Sequence, residues 1–182
     1  MNIDADKEQW FALGSSYQRE MKLKRYFDAK QVETFVPMHT VYKEKNGKPA
    51  KVEVPMIHDL IFVRSSFELL RTEKLTLQEM GTPFRWKMDT VKTNAPIVIP
   101  EHTMQDFISV CRNEYGTLLD QSKAEKLKKG DYVEVIDGPF KGVRGYYSRP
   151  MKHKCVVVLI EGVVAACTTY IPPYLLRKVE KE

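Results

Sequence analysis

The run GDYVEVIDGPFKGVRGYY, from Gly130 to Tyr147, restricts the fold of this chain more than any other segment. Val133 and Val135 alternate with polar positions, which is the period of a strand with one buried face. Turn-forming residues follow at close spacing: Asp137, Gly138, Pro139, Gly142 and Gly145. Glycine at such positions supplies a backbone angle or a close approach that a side chain forbids. The run therefore predicts a tight β-hairpin in a small domain built of strands.

The charge of the chain is moderately basic and unevenly distributed. The 182 residues include 29 lysines and arginines against 24 acidic residues, so the net charge is +5. Residues 19–30 hold five basic and two acidic residues, and residues 141–154 hold five basic residues and no acid. Such clusters are typical of proteins that contact a polyanion, and they also occur on solvated protein faces. Both interpretations stay open at this point.

Cysteine usage and the N-terminal residues indicate the compartment. Cys111, Cys155 and Cys167 lack CxxC spacing and leave one thiol unpaired in any disulfide scheme, which fits a reducing environment. The N-terminal residues lack the basic and apolar regions of a signal peptide. No apolar run approaches the ~20 residues of a membrane span. We therefore expect a cytoplasmic protein that does not contact a membrane.

Strand and helix signals alternate in the first part of the chain. Ser65, with Glu68 three residues later, has the pattern of a capping box at the start of a helix. The predicted elements are strands at Trp10–Leu13, 32–42, Leu60–Val63 and Phe84–Met88, a hairpin turn at Asn46-Gly47, and helices over 17–30, after Ser65, and over Met104–Cys111. Apolar residues recur at helical spacing in the last of these, at Met104, Phe107, Ile108 and Cys111.

The rest of the chain predicts strands alone. They are expected at residues 132–136, 143–148, 155–160, 163–169 and 174–178. Mixed strands and helices followed by strands alone indicate an α+β fold. We predict an N-terminal domain over residues 8–115, a polar, lysine-rich linker over 116–126, and a small β-barrel over 127–182.

Motifs in both parts resemble the NusG family of transcription elongation factors. The pattern G-D-x-V-x-V-x-x-G-P-F-x-G-x-x-G resembles the KOW motif of small SH3-like barrels, with motif residues Gly138, Pro139, Phe140, Lys141, Gly142 and Gly145. The N-terminal part resembles the family's NGN domain, an antiparallel sheet flanked by helices. That resemblance is carried by WFAL at Trp10–Leu13, the basic helix from Arg19, FVPM at Phe35–Met38 and VPMIHDLIFV at Val54–Val63. The chain is most similar to specialised bacterial members such as RfaH and the UpxY antiterminators of surface and capsular polysaccharide operons.

The resemblance implies a factor that keeps RNA polymerase transcribing through long operons. The NGN domain of the family binds the clamp helices of the largest RNA polymerase subunit. The residues that match the family's docking strand are Ile57, Leu60 and Phe62, with Phe84 on a neighbouring strand. The turn before this strand reads Ile57-His58-Asp59 in place of the family's Phe-Pro-Gly, so the details of the docking pocket differ.

Specialised members also read the displaced non-template DNA strand. The matching residues are Ser16, Tyr17, Arg19, Lys22 and Tyr26. Here the two tyrosines would stack on bases while Arg19 and Lys22 meet phosphates; nascent RNA is the alternative nucleic-acid partner. Tyr26 also fits a core position beside Phe27. The C-terminal barrel of the family recruits either the termination factor Rho or a small-subunit ribosomal protein.

No residue pattern indicates catalysis or a bound cofactor. The chain lacks the phosphate-binding, dinucleotide-binding and H-E-x-x-H metal motifs. His153 and Cys155 are two residues apart and would share one face of a strand, as a nucleophile pair or half a zinc site requires. However, Cys155 opens the apolar run CVVVLI, and no second pair has zinc-ligand spacing. We expect no enzyme, no cofactor and no metal site. The alternative function is a KOW-containing RNA-binding protein of ribosome assembly.

Overall fold

The chain forms two compact units, Met1–Val98 and Ile99–Glu182. The computed structural model describes residues 4–45, 47–90, 94–119, 128 and 130–181. Over these residues it contains three α-helices and many antiparallel strands, which confirms the predicted α+β class.

The first unit is built around an antiparallel sheet. Its elements are β1 (Gln9–Ser15), α1 (Glu20–Ala29), β2 (Thr34–Phe35), β3 (Met38–Lys45), β4 (Lys48–Pro55), β5 (Leu60–Ser65), α2 (Phe67–Glu79), β6 (Phe84–Trp86), β7 (Met88–Asp89) and β8 (Ala95–Pro96). The boundary between the two units falls within β9 (Val98–Ile99). Strands lie in the order β2-β5-β1-β6. Phe11 stands opposite Val63, and Leu13 stands opposite Ile61. These four side chains therefore share one face of the sheet.

That face forms the core of the first unit. It packs against α1 and α2 through a cluster of buried side chains: Phe11, Leu13, Leu23, Phe27, Val36, Ile61, Val63, Leu70, Leu77 and Phe84. Helix α1 contributes Leu23 and Phe27, whose spacing of four residues places them on one stripe of the helix. Removal of this apolar surface from water stabilises the fold by about 25 cal/mol per Å².

Helix α2 begins one residue later than the capping-box pattern predicts. Ser66 is the N-cap, and its Oγ accepts a hydrogen bond from the backbone N–H of Leu69 at 3.2 Å. Ser65 instead remains in β5, paired with Gln9 and buried. The prediction at Ser65 is wrong because pairing with β1 holds that residue in the sheet.

Strands β3 and β4 form a separate two-stranded hairpin. They pair in continuous register from Met38 opposite Pro55 to Lys45 opposite Lys48. Gly47 lies in the turn with φ of 73°, as the predicted Asn-Gly turn requires. Asn46 itself lies outside the described residues.

Among its described residues, the second unit contains one α-helix and an antiparallel sheet. Its elements are α3 (Glu101–Arg112), β10 (Thr117–Leu119), β11 (Tyr132–Val135), β12 (Arg144–Ser148), β13 (Cys155–Ile160), β14 (Val164–Tyr170) and β15 (Leu176–Lys178), with a 3-10 turn at Pro173–Leu175. The strands lie in the order β10-β14-β13-β12-β11-β15. The predicted strand at residues 155–160 is confirmed with the same bounds, as its run of β-branched residues favours.

Two features of the structure differ from the predicted boundary between the N-terminal domain, which ends at residue 115, and the linker, which begins at residue 116. Helix α3 packs against β13 and β14 of the second unit, whereas the prediction included it in the first domain. An amphipathic pattern shows that a helix has a buried face but does not identify the sheet that covers it. Thr117–Leu119, predicted as linker, pairs with β14, and Leu119 is buried. Residues 120–126 of the predicted linker lie outside the described residues.

Candidate functional site

The loop between β1 and α1 exposes a tyrosine in an uncommon backbone conformation. Tyr17 and Gln18 have φ of 56° and 55°. A residue with a Cβ occupies this left-handed region at a cost of roughly 1–2 kcal/mol. The side chain of Tyr17 is 86% exposed. The Arg19 guanidinium lies 5.6 Å from the Tyr17 ring centroid and donates a hydrogen bond to the carbonyl of Gly81. Strain around an exposed aromatic side chain is typical of a binding surface.

Two carboxylates hold this loop in place. Asp59 Oδ1 accepts from the backbone N–H of Gln18 at 2.7 Å, and Glu20 Oε2 accepts from the backbone N–H of Asp59 at 3.2 Å. The Ser15 hydroxyl lies 3.2 Å from Asp59 Oδ1 and 3.3 Å from Glu20 Oε2, and its single proton is donated to one of them at a time. Glu20 is buried, with Oε1 3.4 Å from His58 Nδ1. No pattern in the sequence indicates a role for Glu20 or Asp59.

The remaining residues predicted to bind nucleic acid differ in accessibility. Lys22 is exposed and Ser16 is half-buried. Tyr26 packs edge-on against Phe27, with ring centroids 5.6 Å apart, and its hydroxyl donates to Glu73 of α2. The structure therefore favours the core position for Tyr26 and leaves Ser16, Tyr17, Arg19 and Lys22 near the surface of the loop and helix.

The residues predicted to bind polymerase are mostly inaccessible. Leu60 is 3% exposed and Phe62 is fully buried, whereas Ile57 in the preceding turn is half-buried. Phe84 belongs to the core, with its ring centroid 6.4 Å from that of Phe27. Polymerase binding by these residues stays a prediction. Direct contact by Leu60 or Phe62 requires a conformation in which they are exposed.

The glycines of the predicted KOW motif have the conformations that the sequence predicts. Gly138 and Gly142 have φ of 88° and 89°. Gly142 N–H donates to the carbonyl of Val135 at 2.8 Å and closes the turn between β11 and β12. A Cβ on Gly145 would lie 2.3 Å from the carbonyl oxygen of Val157, so this position requires close approach of two strands. Phe140 is buried under the turn, and Lys141 is exposed.

The sequence profile of one family, described as transcription termination factor nusG, matches residues 8–108, more than half of the chain. The chain belongs to the NusG family. No curated protein matches it. The family comprises transcription elongation and antitermination factors that bind RNA polymerase, and it is not a family of enzymes.

This NusG-family chain also buries a carboxyl group that no pattern in the sequence predicts. Asp106 of α3 is 8% exposed, and its Oδ2 lies 3.7 Å from Arg144 Nε and, among the described residues, accepts no hydrogen bond. Burial raises the pKa of Asp106 to about 6, against the opposing effects of the Arg144 backbone N–H and charge. Asp106 lies two positions after Met104 and therefore outside the apolar stripe of the helix, so the helical pattern gave no reason to expect it to be buried.

The cysteines and histidines do not assemble a reactive centre in the described part of the chain. His153 lies in a bend before β13, so it does not share a strand with Cys155 as predicted. Cys155 and Cys167 are buried, and a hydrogen bond with Cys167 together with burial raises the pKa of Cys155. No group of three or more His, Cys, Asp or Glu among the described residues is arranged to hold a metal ion. In the same residues, no helix is long and apolar enough to cross a membrane.

Proposed function

We propose that this NusG-family protein is an antitermination factor that binds RNA polymerase and promotes processive transcription of particular long operons, such as those for surface or capsular polysaccharides. The family match over residues 8–108 carries this proposal, because it spans both the strand β5 and the loop that presents Tyr17. The loop between β1 and α1 favours a specialised member of the family. Its left-handed backbone presents the exposed Tyr17 ring beside the basic side chain of Arg19.

Polymerase binding is assigned to the turn and strand from Ile57 to Phe62, with the clamp helices of the largest subunit as partner. The half-buried Ile57 supplies accessible apolar surface. Leu60 and Phe62 would join the contact in a conformation that exposes them. A helix laid on an apolar strand face gains affinity from apolar burial at about 25 cal/mol per Å², without any bond being made or broken.

Nucleic-acid binding is assigned to the loop and start of α1. Tyr17 is exposed and would stack on an unpaired base of the non-template DNA strand or nascent RNA. Arg19 and Lys22 would meet phosphates beside it. The cation–π contact between Arg19 and Tyr17 already places a positive charge next to the stacking surface.

The second unit is proposed to be the KOW-type, SH3-like barrel that recruits Rho or a small-subunit ribosomal protein. Its antiparallel sheet and the positive-φ glycines of the β11–β12 turn support this assignment. Four exposed basic residues in or after that turn would offer a positively charged surface: Lys141, Arg149, Lys152 and Lys154.

Co-purification with core RNA polymerase and transcription in vitro test the proposed function. Ile57→Asp places a charge on the proposed docking surface. Leu75→Asp is its matched control, since Leu75 is 67% exposed on α2. The unchanged chain and Leu75→Asp should retain polymerase and extend transcripts past pause sites, whereas Ile57→Asp should bind about tenfold more weakly, equivalent to 1.4 kcal/mol. Equal binding by both variants would contradict the docking assignment, and failure of the unchanged chain to bind would contradict the function.

A further inference from the structure

Asp59 links the turn before β5 to the loop that presents Tyr17. Its carboxylate accepts from the Gln18 backbone N–H at 2.7 Å, and its carbonyl accepts from the backbone N–H of Ser15 at 3.1 Å. Its own backbone N–H donates to Glu20 at 3.2 Å. Asp59 therefore bonds to residues both before and after Tyr17, and its bonds to Ser15 and Gln18 span 44 and 41 positions in the sequence.

The hydrogen bond to Gln18 acts directly on the uncommon backbone conformation. A left-handed residue with a Cβ persists only where its surroundings hold it. The Gln18 N–H, which is fixed by the Asp59 carboxylate, is part of the peptide unit that joins Tyr17 to Gln18. At 2.7 Å this bond is at the short end of the normal range, so the Asp59 side-chain oxygen is well suited to oppose relaxation of the loop.

The buried carboxylate of Glu20 fixes the backbone of Asp59 through a hydrogen bond. Its Oε2 receives the Asp59 N–H and lies within reach of the Ser15 hydroxyl, and its Oε1 is 3.4 Å from His58. The backbone of Asp59 has φ of 63°, which aspartate tolerates better than most residues with a Cβ. Glu20 of α1 thus fixes the backbone of Asp59, while Ser15 and Gln18 contact its carboxylate.

We propose that Asp59 is a positioning residue for nucleic-acid binding: it keeps Tyr17 and Gln18 left-handed, so that the exposed Tyr17 ring is already oriented for stacking on an unpaired base. This inference rests on the proposed nucleic-acid surface. A loop ordered before binding loses less conformational entropy when the ligand arrives, so Asp59 contributes to affinity without touching the nucleic acid.

The test uses the full chain and three substitutions. Asp59→Gly removes the acceptor while glycine keeps φ of 63° without strain. Asp59→Asn is the matched control, since asparagine tolerates the same φ and retains Oδ1 as an acceptor for Gln18 and Ser15. Tyr17→Ala tests the stacking surface itself. Affinity is measured by NMR titration with the single-stranded oligonucleotides dT12 and rU12, whose comparison separates DNA from RNA.

Tyr17 is proposed to stack on a base and Asp59 to position Tyr17, so their variants should differ in affinity. Tyr17→Ala should lose about tenfold in affinity, as is usual for removal of one stacking side chain. Asp59→Gly should lose about threefold or more, and Asp59→Asn should stay within about twofold of the unchanged chain. The intraresidue HN–Hα NOEs of Tyr17 and Gln18, which are strong at positive φ, should weaken in Asp59→Gly and persist in Asp59→Asn.

Failure of the positioning role is distinct from failure of the nucleic-acid surface. If Tyr17→Ala weakens binding but Asp59→Gly does not, or if the NOEs of Asp59→Gly stay strong, the positioning role is overturned. If neither oligonucleotide binds the unchanged chain, or if Tyr17→Ala binds equally well, the nucleic-acid surface is overturned and the inference with it. Should Asp59→Gly not fold, Gln18→Pro imposes a negative φ at an exposed position. Unchanged binding by that folded variant would also overturn the proposal.

Discussion

Replacement of Asp106 by asparagine should stabilise the second unit at neutral pH. Its carboxylate is almost fully buried on α3, and Oδ2 lies too far from Arg144 Nε, at 3.7 Å, for a hydrogen bond. Asparagine has nearly the same shape but no charge to remove from water. Asparagine also keeps one oxygen that can accept from the Arg144 backbone N–H, so the gain should exceed any loss from the long contact with the Arg144 guanidinium.

The magnitude follows from the displaced pKa of Asp106. Burial moves this pKa from 3.8 to about 6, which at 1.36 kcal/mol per pH unit amounts to about 3 kcal/mol. The folded chain binds the proton more tightly than the unfolded chain, so stability falls as the pH rises between about 4 and 6. The full cost is present above about pH 6 and is relieved below about pH 4. The advantage of Asp106→Asn should therefore be about 3 kcal/mol at pH 7 and close to zero at pH 4.

Urea unfolding at both pH values, followed by the NMR amide signals of β13, measures this difference. Both tryptophans, Trp10 and Trp86, belong to the first unit, so their fluorescence reports on that unit in the same samples. Asp131→Asn is the control, because its exposed ion pair with Lys178 should be worth no more than about 1 kcal/mol. A loss of stability in Asp106→Asn at pH 7, or an equal gain at pH 7 and pH 4, would refute the argument.

Three further substitutions test the packing of the fold. Phe62→Asp should unfold the first unit, because the ring is fully buried and an unpaired buried charge costs several kcal/mol; a folded variant with an unchanged melting temperature would show that the site is accessible. Ser66→Ala should lower the free energy of unfolding by about 1 kcal/mol through loss of the bond to Leu69 N–H, and an unchanged urea midpoint would argue against that cap. Gly145→Ala should destabilise the second unit, since the new Cβ would lie 2.3 Å from the Val157 carbonyl oxygen, and wild-type thermal unfolding would disprove the close approach.

The sequence by itself determined the local elements and the family. The β13 strand was predictable with its bounds because its continuous run of β-branched and apolar residues fits a buried, pleated strand. The conformations of Gly138 and Gly142 were predictable because a tight turn leaves few residues able to adopt a positive φ. The apolar stripe of α3 was equally evident, since helical spacing is a property of the segment alone.

Only the tertiary structure decided the features that depend on distant residues. The left-handed conformation of Gln18 is held by Asp59, and the burial of Asp106 depends on packing of α3 against strands more than forty residues later. The burial of Phe62 was also decided by the tertiary structure. Alternation along the strand identifies the face of the sheet on which Phe62 lies, but not whether other residues cover that face. Hydrogen-bond partners and burial depend on chain segments that are distant in sequence, and a local pattern does not contain those segments. For this reason the sequence identified the loop around Tyr17 as a candidate binding site but did not identify Asp59 and Glu20, which hold that loop.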